Sequence, residues 1–274
     1  MSSIDRAAAV SPFVLTIDIG SSSTRALLYD AQARRVDGIA ARTTYQIATS
    51  SDGASEIDAE WLLDCVCRCL DSVLDQTGDL QIAGVALDTF VSNIIALDAT
   101  GKPLSQVVTY ADTRNDDDSR RLRHELDETQ VHERTGCLLR TSYWPARLAW
   151  FRRTQPALWE ATRHWATFGE YLELRLFGHG RAGISAASWS GLVDRRSNQW
   201  DHELLDFLGV ARDYLAPLVD SGQPLRGLNS AYANRWPALR DVPWFPALGD
   251  GAAANIGSGC DNPQRIALTV GTTA

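Results

Sequence analysis

One carboxylate, Asp250, stands between Gly249 and Gly251 and is followed by Ala252–Ile256, a mostly small-residue run able to start a helix. Glycines let a backbone run close to a ligand, and the first N–H groups of a helix attract an anion. A carboxylate projecting from such a start has the chemistry of a general base facing a phosphoryl donor. Two other turns carry hydroxyl groups directly after an apolar run: Asp18-Ile-Gly-Ser-Ser-Ser-Thr-Arg25, and Gly271-Thr-Thr-Ala274 after the strand expected at Ile266–Val270. Backbone N–H groups and side chains of Gly20, Ser21, Ser22, Ser23, Thr24 and Arg25 can hold phosphate oxygens, and Asp18 can orient a magnesium ion through water. Gly271, Thr272 and Thr273 repeat the device, so two turns separated by most of the chain could grip one phosphate chain from two sides. Each turn taken singly also fits a plain hairpin. The stretch Gly249-Asp-Gly-Ala-Ala-Ala254 matches the GxGxxA dinucleotide pattern as well, but its context is wrong. Trp244-Phe-Pro246 precedes it where a strand belongs, and no clear ribose-binding acid follows about 20 positions on. The patterns GxxxxGK[ST] and GxSxG are absent.

The elements that must position these residues follow from periodicity. Phe13–Ile19 (FVLTIDI) and Thr24–Tyr29 (TRALLY) read as two strands of a hairpin, with Ile39–Thr49 completing a three-stranded meander. Ser55 and Asp58 are placed to form a capping box. Ile57, Trp61, Cys65, Cys69 and Val73 then recur every four residues until Gly78, which predicts an amphipathic helix laid on the sheet. Gln81–Leu87 and Ile94–Leu97 are further strands, the second ending in the turn Asp98–Gly101. From Asn115 the texture turns helical. Asp116, Asp117 and Asp118 sit near a helix start, where acids suit the positive end of the dipole, and they read as a solvated face. Most of the nine tryptophans lie from Trp144 onward, which predicts aromatic-rich, irregular packing, a lid or an elaborated substrate side. Gly178-His-Gly180 reads as a turn after a helix.

Composition excludes several partners. The chain has 274 residues, 45% of them hydrophobic, and a formal charge of -8. That is ample for a buried core, and it leaves no basic stripe for nucleic acid or an anionic membrane. The start MSSIDRAAAV lacks the basic-then-apolar order of a signal peptide, and no apolar run approaches the roughly 20 residues of a membrane span, so a cytoplasmic protein is expected. Five cysteines give no disulfide framework; Cys65, Cys67 and Cys69 cannot close a tetrahedral site from one helix, and the five histidines lack ligand spacing.

These motifs together resemble the FGGY family of carbohydrate kinases. The resemblance rests on Asp18–Arg25, Tyr110-Ala-Asp-Thr-Arg114, Ser185–Ser188 with Gly191–Asp194, Gly249–Gly251 and Thr269–Ala274, in order and at similar spacing. The gluconokinase-like branch is nearest, through Thr109–Arg114 and Tyr143-Trp-Pro-Ala-Arg147. What the resemblance implies is an α/β, ribonuclease H-like (actin-like ATPase) domain with a mixed sheet flanked by helices, the first of the family's two domains. It also implies ATP and Mg2+ as cofactors, a sugar or sugar acid as small-molecule partner, and phosphoryl transfer to a hydroxyl with Asp250 as catalytic base. Asp250, Asp112 and Arg114 match family positions near the substrate cleft; for Asp112 and Arg114 a local ion pair closing a loop stands as the alternative.

The substrate segment departs from that pattern. Where many members have glutamine, an aromatic or methionine, and histidine, this chain reads Asp88-Thr-Phe-Val-Ser-Asn93. Asp88, Thr89, Phe90 and Ser92 are therefore the candidate contacts, and gluconate is a lean only. The expected organisation is a flexible N-terminus at 1–11, a sugar-binding domain at 12–262, and at 263–274 the first strand and phosphate turn of a second domain. On that reading the missing C-terminal kinase domain is a partner, a homodimer is a further candidate, and the isolated chain is expected to be inactive. A sugar-binding module without catalysis is the competing reading, and a dinucleotide oxidoreductase a distant third.

Overall fold

Strict alternation builds the central sheet in this computed structural model, which describes residues 3–268. Four strands open the chain: Ser3–Ile4 (β1), Phe13–Ile19 (β2), Ser23–Tyr29 (β3) and Arg35–Thr44 (β4). In β2 every second side chain, Phe13, Leu15, Ile17 and Ile19, is buried, while Val14, Thr16 and Asp18 reach the other, partly open face. β2, β3 and β4 form an antiparallel meander. Ile82–Thr89 adds in parallel beside β2, Leu248–Gly249 adds in parallel beside that, and β1 pairs in parallel with β4 at the far edge. The result is a mixed six-stranded sheet.

Helix Ala59–Thr77 (α1) covers one face, packing on β3 and β4. Asp58 caps it, accepting from Trp61 N at 2.7 Å. Ser55 takes no part in that cap: it lies in the Ser55–Ile57 strand, with its hydroxyl 2.6 Å from that of Thr109. The four-residue spacing also drifts around a 3.6-residue turn, so Trp61 points outward under the Arg68 guanidinium, 5.1 Å from the ring centroid. Leu62, Val66 and Leu70 join Cys65, Cys69 and Val73 in the core instead. Cys67 is buried too, because residues 229–236 cover the far side of α1, where Arg235 and Trp236 both bond Asp71. All five cysteines are free thiols.

Three other expectations are corrected. The meander's third strand ends at Thr44; Tyr45 turns inward to bond the Gly20 carbonyl at 2.6 Å, and Ala48–Thr49 joins a separate small sheet. Residues 3–8, expected within a flexible terminus, form β1 and a 3-10 turn, and Arg6 donates to the Thr77 carbonyl at 2.7 Å, closing the end of α1. Ile266 and Leu268, expected in a strand, are 90% and 84% exposed and outside any strand. The rest of that segment and the turn at Gly271–Thr273 lie outside the described residues.

Residues from Ile94 to Leu215 contribute a second core around Trp144, Trp150, Trp165 and Trp200, so most of the tryptophans there are packing residues, not a lid. Asp116 does start a helix, Asp116–Glu125, but Asp118 is not solvated: it is 2% exposed and takes Arg153 Nη2 at 2.7 Å, because the Trp144–Thr154 helix packs over it. Gly178 ends the Phe168–Phe177 helix in the left-handed region, φ 84°. Among the described residues no helix is long and apolar enough to cross a membrane.

Candidate active site

Parallel strands deliver their ends to one place. Asp18 on β2 is in register with Asp88 on the Ile82–Thr89 strand, and Asp88 with Leu248 on the next. Asp250 follows two residues later, at the start of the Asp250–Gly257 helix. Three carboxylates thus line the carboxyl ends of three neighbouring strands, the position where open α/β sheets bind ligands. A cleft of about 940 Å³ runs over them along the sheet face left free by α1, and its walls include Gly20, Ser21, Ser22, Ser23, Arg25 and Gly251.

Neighbouring strands lie roughly 4.8 Å apart, so facing carboxylates repel unless one holds a proton. Burial, followed by Asp18 and Asp250, pushes the Asp88 carboxyl up to about 7. Burial and Asp18 also raise Asp250, against the pull of the Gly251 N–H, which donates to its Oδ1 at 2.7 Å. A carboxylate with raised affinity for protons at a helix start suits proton abstraction. Asp18 is ion-paired with Arg25.

The residues fit a hydrated cation better than a caged one. No group of three or more His, Cys, Asp or Glu among the described residues is arranged to hold a metal. Magnesium keeps several waters and is commonly held by one or two carboxylates together with substrate phosphates, and Asp18 beside the serine turn can serve that arrangement.

Several expected contacts lie elsewhere. Thr24 is wholly buried, its hydroxyl 3.3 Å from that of Tyr45, so it offers nothing to phosphate. Thr89 and Phe90 are each 1% exposed, and Phe90 belongs to the core under α1; neither presents its side chain to a ligand. Ser92 is buried and donates its hydroxyl to the Trp189 carbonyl at 2.6 Å. Asp112 and Arg114 form the loop-closing ion pair, at 2.6 Å, and are not in the cleft walls around Asp250. Arg114 also pairs with Glu56 and stacks over Trp150 at 4.6 Å, while Asp112 accepts from Ser55 N at 3.0 Å.

Two site neighbours escaped sequence reasoning. Trp189 stands against Gly249, where an added Cβ would meet its Nε1 at 3.3 Å and Val91 Cγ1 at 2.7 Å. Glycine at 249 is therefore a packing requirement as well as a clearance. Arg147, 1% exposed, holds the Ser92 carbonyl, and burial pulls its pKa down to about 9. The glycine beside Asp250 was the signal available for Trp189; Arg147 closes the Tyr143-Trp-Pro-Ala-Arg147 motif, which marked its position but not its place behind Ser92.

The fold and its carboxylate-lined strand ends define an α/β domain of the actin-like ATPase type. Residues 13–257 match the model of the FGGY family of carbohydrate kinases, N-terminal domain, and the chain belongs to that family. A gluconokinase of Bacillus subtilis is 24% identical over 261 residues, covering 95% of this chain and 50% of the relative. A glycerol kinase of Brucella ovis is 29% identical, covering 96% and 53%. Among solved structures, a xylulose kinase from Rhodospirillum rubrum superposes with TM-score 0.86 at 21% identity, over 92% of this chain and 52% of that one. A gluconate kinase from Lactobacillus acidophilus gives 0.85 at 21%, over 90% and 50%. The chain spans about half the length of these relatives.

Proposed function

We propose that this chain is the acceptor-binding half of an ATP-dependent carbohydrate kinase, acting on a hydroxyl of a sugar or sugar acid. The observation that carries the reading is the position of Asp250: a half-buried carboxylate at a helix start, beside Asp18 and Asp88, on a cleft walled by the Gly20–Ser23 turn. Asp250 takes the proton of the acceptor hydroxyl as its oxygen attacks, and the helix start behind it favours negative charge there. Asp18 positions a hydrated magnesium ion, and the turn at Gly20–Ser23 holds phosphate oxygens. Bound MgATP supplies the phosphoryl group, and orientation of the two reactants provides most of the rate. Asp112 and Arg114 support a loop within the second-core region, between Val108 and the Asp116–Glu125 helix, and are assigned to the architecture of the acceptor side. A gluconate-like acid is the first acceptor to test, supported by the gluconokinase of Bacillus subtilis and the gluconate kinase of Lactobacillus acidophilus among the similar proteins.

The test is sugar-dependent ADP release with D-gluconate, D-xylulose and glycerol, by the 274-residue chain alone and by the chain joined to a nucleotide-binding half. Because the relatives are about twice as long, we expect turnover only where a nucleotide-binding half accompanies this one. ADP release by the 274-residue chain alone would overturn the division of labour. Sugar binding without ADP release at any length would favour the non-catalytic sugar-binding module.

A further inference from the structure

The segment after the Ile82–Thr89 strand offers an acceptor few hydrogen bonds. Phe90 is in the core, Val91 is apolar, and the Ser92 hydroxyl is already donated to Trp189. Trp189 is not among the residues lining the cleft, but it stands against Gly249 and Gly251, the backbone that flanks Asp250 at the edge of that cleft. It follows the short Ile184–Ser188 helix and is 40% exposed, unlike the buried tryptophans of the second core. Built at Gly249, a Cβ would lie 3.3 Å from its Nε1 and 3.4 Å from its Cδ1; at Gly251, 3.9 Å from its Cζ2. The N–H edge of the indole therefore runs along the backbone on both sides of Asp250. The hydrogen bonds of Trp189 are made by its backbone: its N–H donates to the Ala186 carbonyl, and its carbonyl accepts from Ser92 Oγ.

The ring is also held in place. Ser92 Oγ donates to the Trp189 carbonyl at 2.6 Å, and the buried Arg147 guanidinium donates to the Ser92 carbonyl. Ser92 sits at φ 56°, in the left-handed region that a non-glycine residue keeps only when its surroundings impose it. A buried arginine thus fixes a strained loop residue, which fixes the turn carrying the indole. An indole supplies one donor and a broad apolar face. Sugars present the complementary pair, hydroxyl oxygens at their edges and C–H groups on their faces.

We propose that Trp189 is a specificity-determining residue of the acceptor pocket, donating its N–H to a sugar hydroxyl next to the one that reacts and packing its ring on the ligand's C–H face. This rests on the reading of the cleft as that of a sugar kinase. The ligand class is a polyhydroxylated sugar or sugar acid with a free hydroxyl adjacent to the phosphorylated position.

Titration calorimetry and intrinsic fluorescence of the 274-residue chain, with D-gluconate, D-xylulose and glycerol as probes, test it. For the probe that binds, Trp189→Phe keeps the ring and loses the donor, and Kd rises about tenfold, the size of one net hydrogen bond. Trp189→Ala loses both and Kd rises about a hundredfold. The fluorescence change on binding disappears in both variants and persists in Trp61→Phe, which alters the other exposed tryptophan. Unchanged affinity in both Trp189 variants overturns the assignment while leaving the kinase reading intact. Absence of binding by the unaltered chain to every probe overturns both.

Discussion

Two groups of acids in this molecule are treated in opposite ways. Asp112, Glu56 and Asp118 each meet an arginine: Arg114 serves the first two and Arg153 the third. At the strand ends, Asp18, Asp88 and Asp250 share one partly exposed arginine, Arg25, which pairs with Asp18 alone. In the first group Asp112 and Asp118 are buried, Glu56 is partly so, and all three are compensated, which is how a fold accommodates charge. The second leaves acids facing one another across adjacent strands, a cost with no structural return. Burial and the neighbouring acid raise Asp88 and Asp250. Unrelieved like charge at the mouth of a cleft marks the site; neutralised charge inside the second core marks scaffolding.

The comparison fails most visibly if Asp250→Asn retains activity. In the chain joined to a nucleotide-binding half this change should lower phosphorylation about a thousandfold, the scale of a lost general base, while sugar affinity by calorimetry stays within twofold of the parent. In the compensated group, Arg114→Ala strands the buried Asp112 and removes the stacking on Trp150. The expected loss is about 3 kcal/mol, read by urea unfolding, or roughly 10 °C in Tm. A loss below about 1 kcal/mol would place that pair among ordinary surface contacts.

Asp88→Asn should do the reverse and stabilise. Folded Asp88 holds its proton to about 7, well above the ordinary carboxylate range. Between about pH 4 and 7 the folded state binds more protons than the unfolded one, so stability falls as pH rises through that window. In metal-free buffer the Asn variant should therefore exceed the parent at pH 8 by a few degrees in Tm, and the gap should close toward pH 4. A gap that widens at low pH would show that Asp88 is stabilised as a carboxylate. Smallest of all, Arg25→Ala should change stability by about 0.5 kcal/mol or less, because its pair with Asp18 is half exposed. A larger loss in thermal unfolding would move Asp18 into the compensated group.

Local pattern carried most of the sheet and little of the acceptor side. FVLTIDI could only bury alternate residues, so Asp18 had to face away from Phe13, Leu15 and Ile17, and the structure puts it there. The helix at α1 was equally legible, but its cap and exposed edge were not: Ser55 was drawn into strand pairing, and Trp61 drifted outward. Thr24 shows the limit of reading a turn as a list of hydroxyls. Its neighbour Ser23 lines the cleft, whereas Thr24 alternates to the interior and meets Tyr45. Phe90 occupies a contact position in the motif, yet the core claims its side chain.

By itself the sequence determined the order of the strands' apolar faces, the helix start at Asp250 and the hydroxyl turn after β2, because periodicity, glycine and capping chemistry act within a few residues. Only the tertiary structure decided which carboxylates would face one another and which would be neutralised. It alone set Trp189 beside Gly249, and Arg147 behind Ser92, 55 residues away in the chain. Those outcomes depend on strand register and on the packing of two cores, which bring together groups that no local spacing connects.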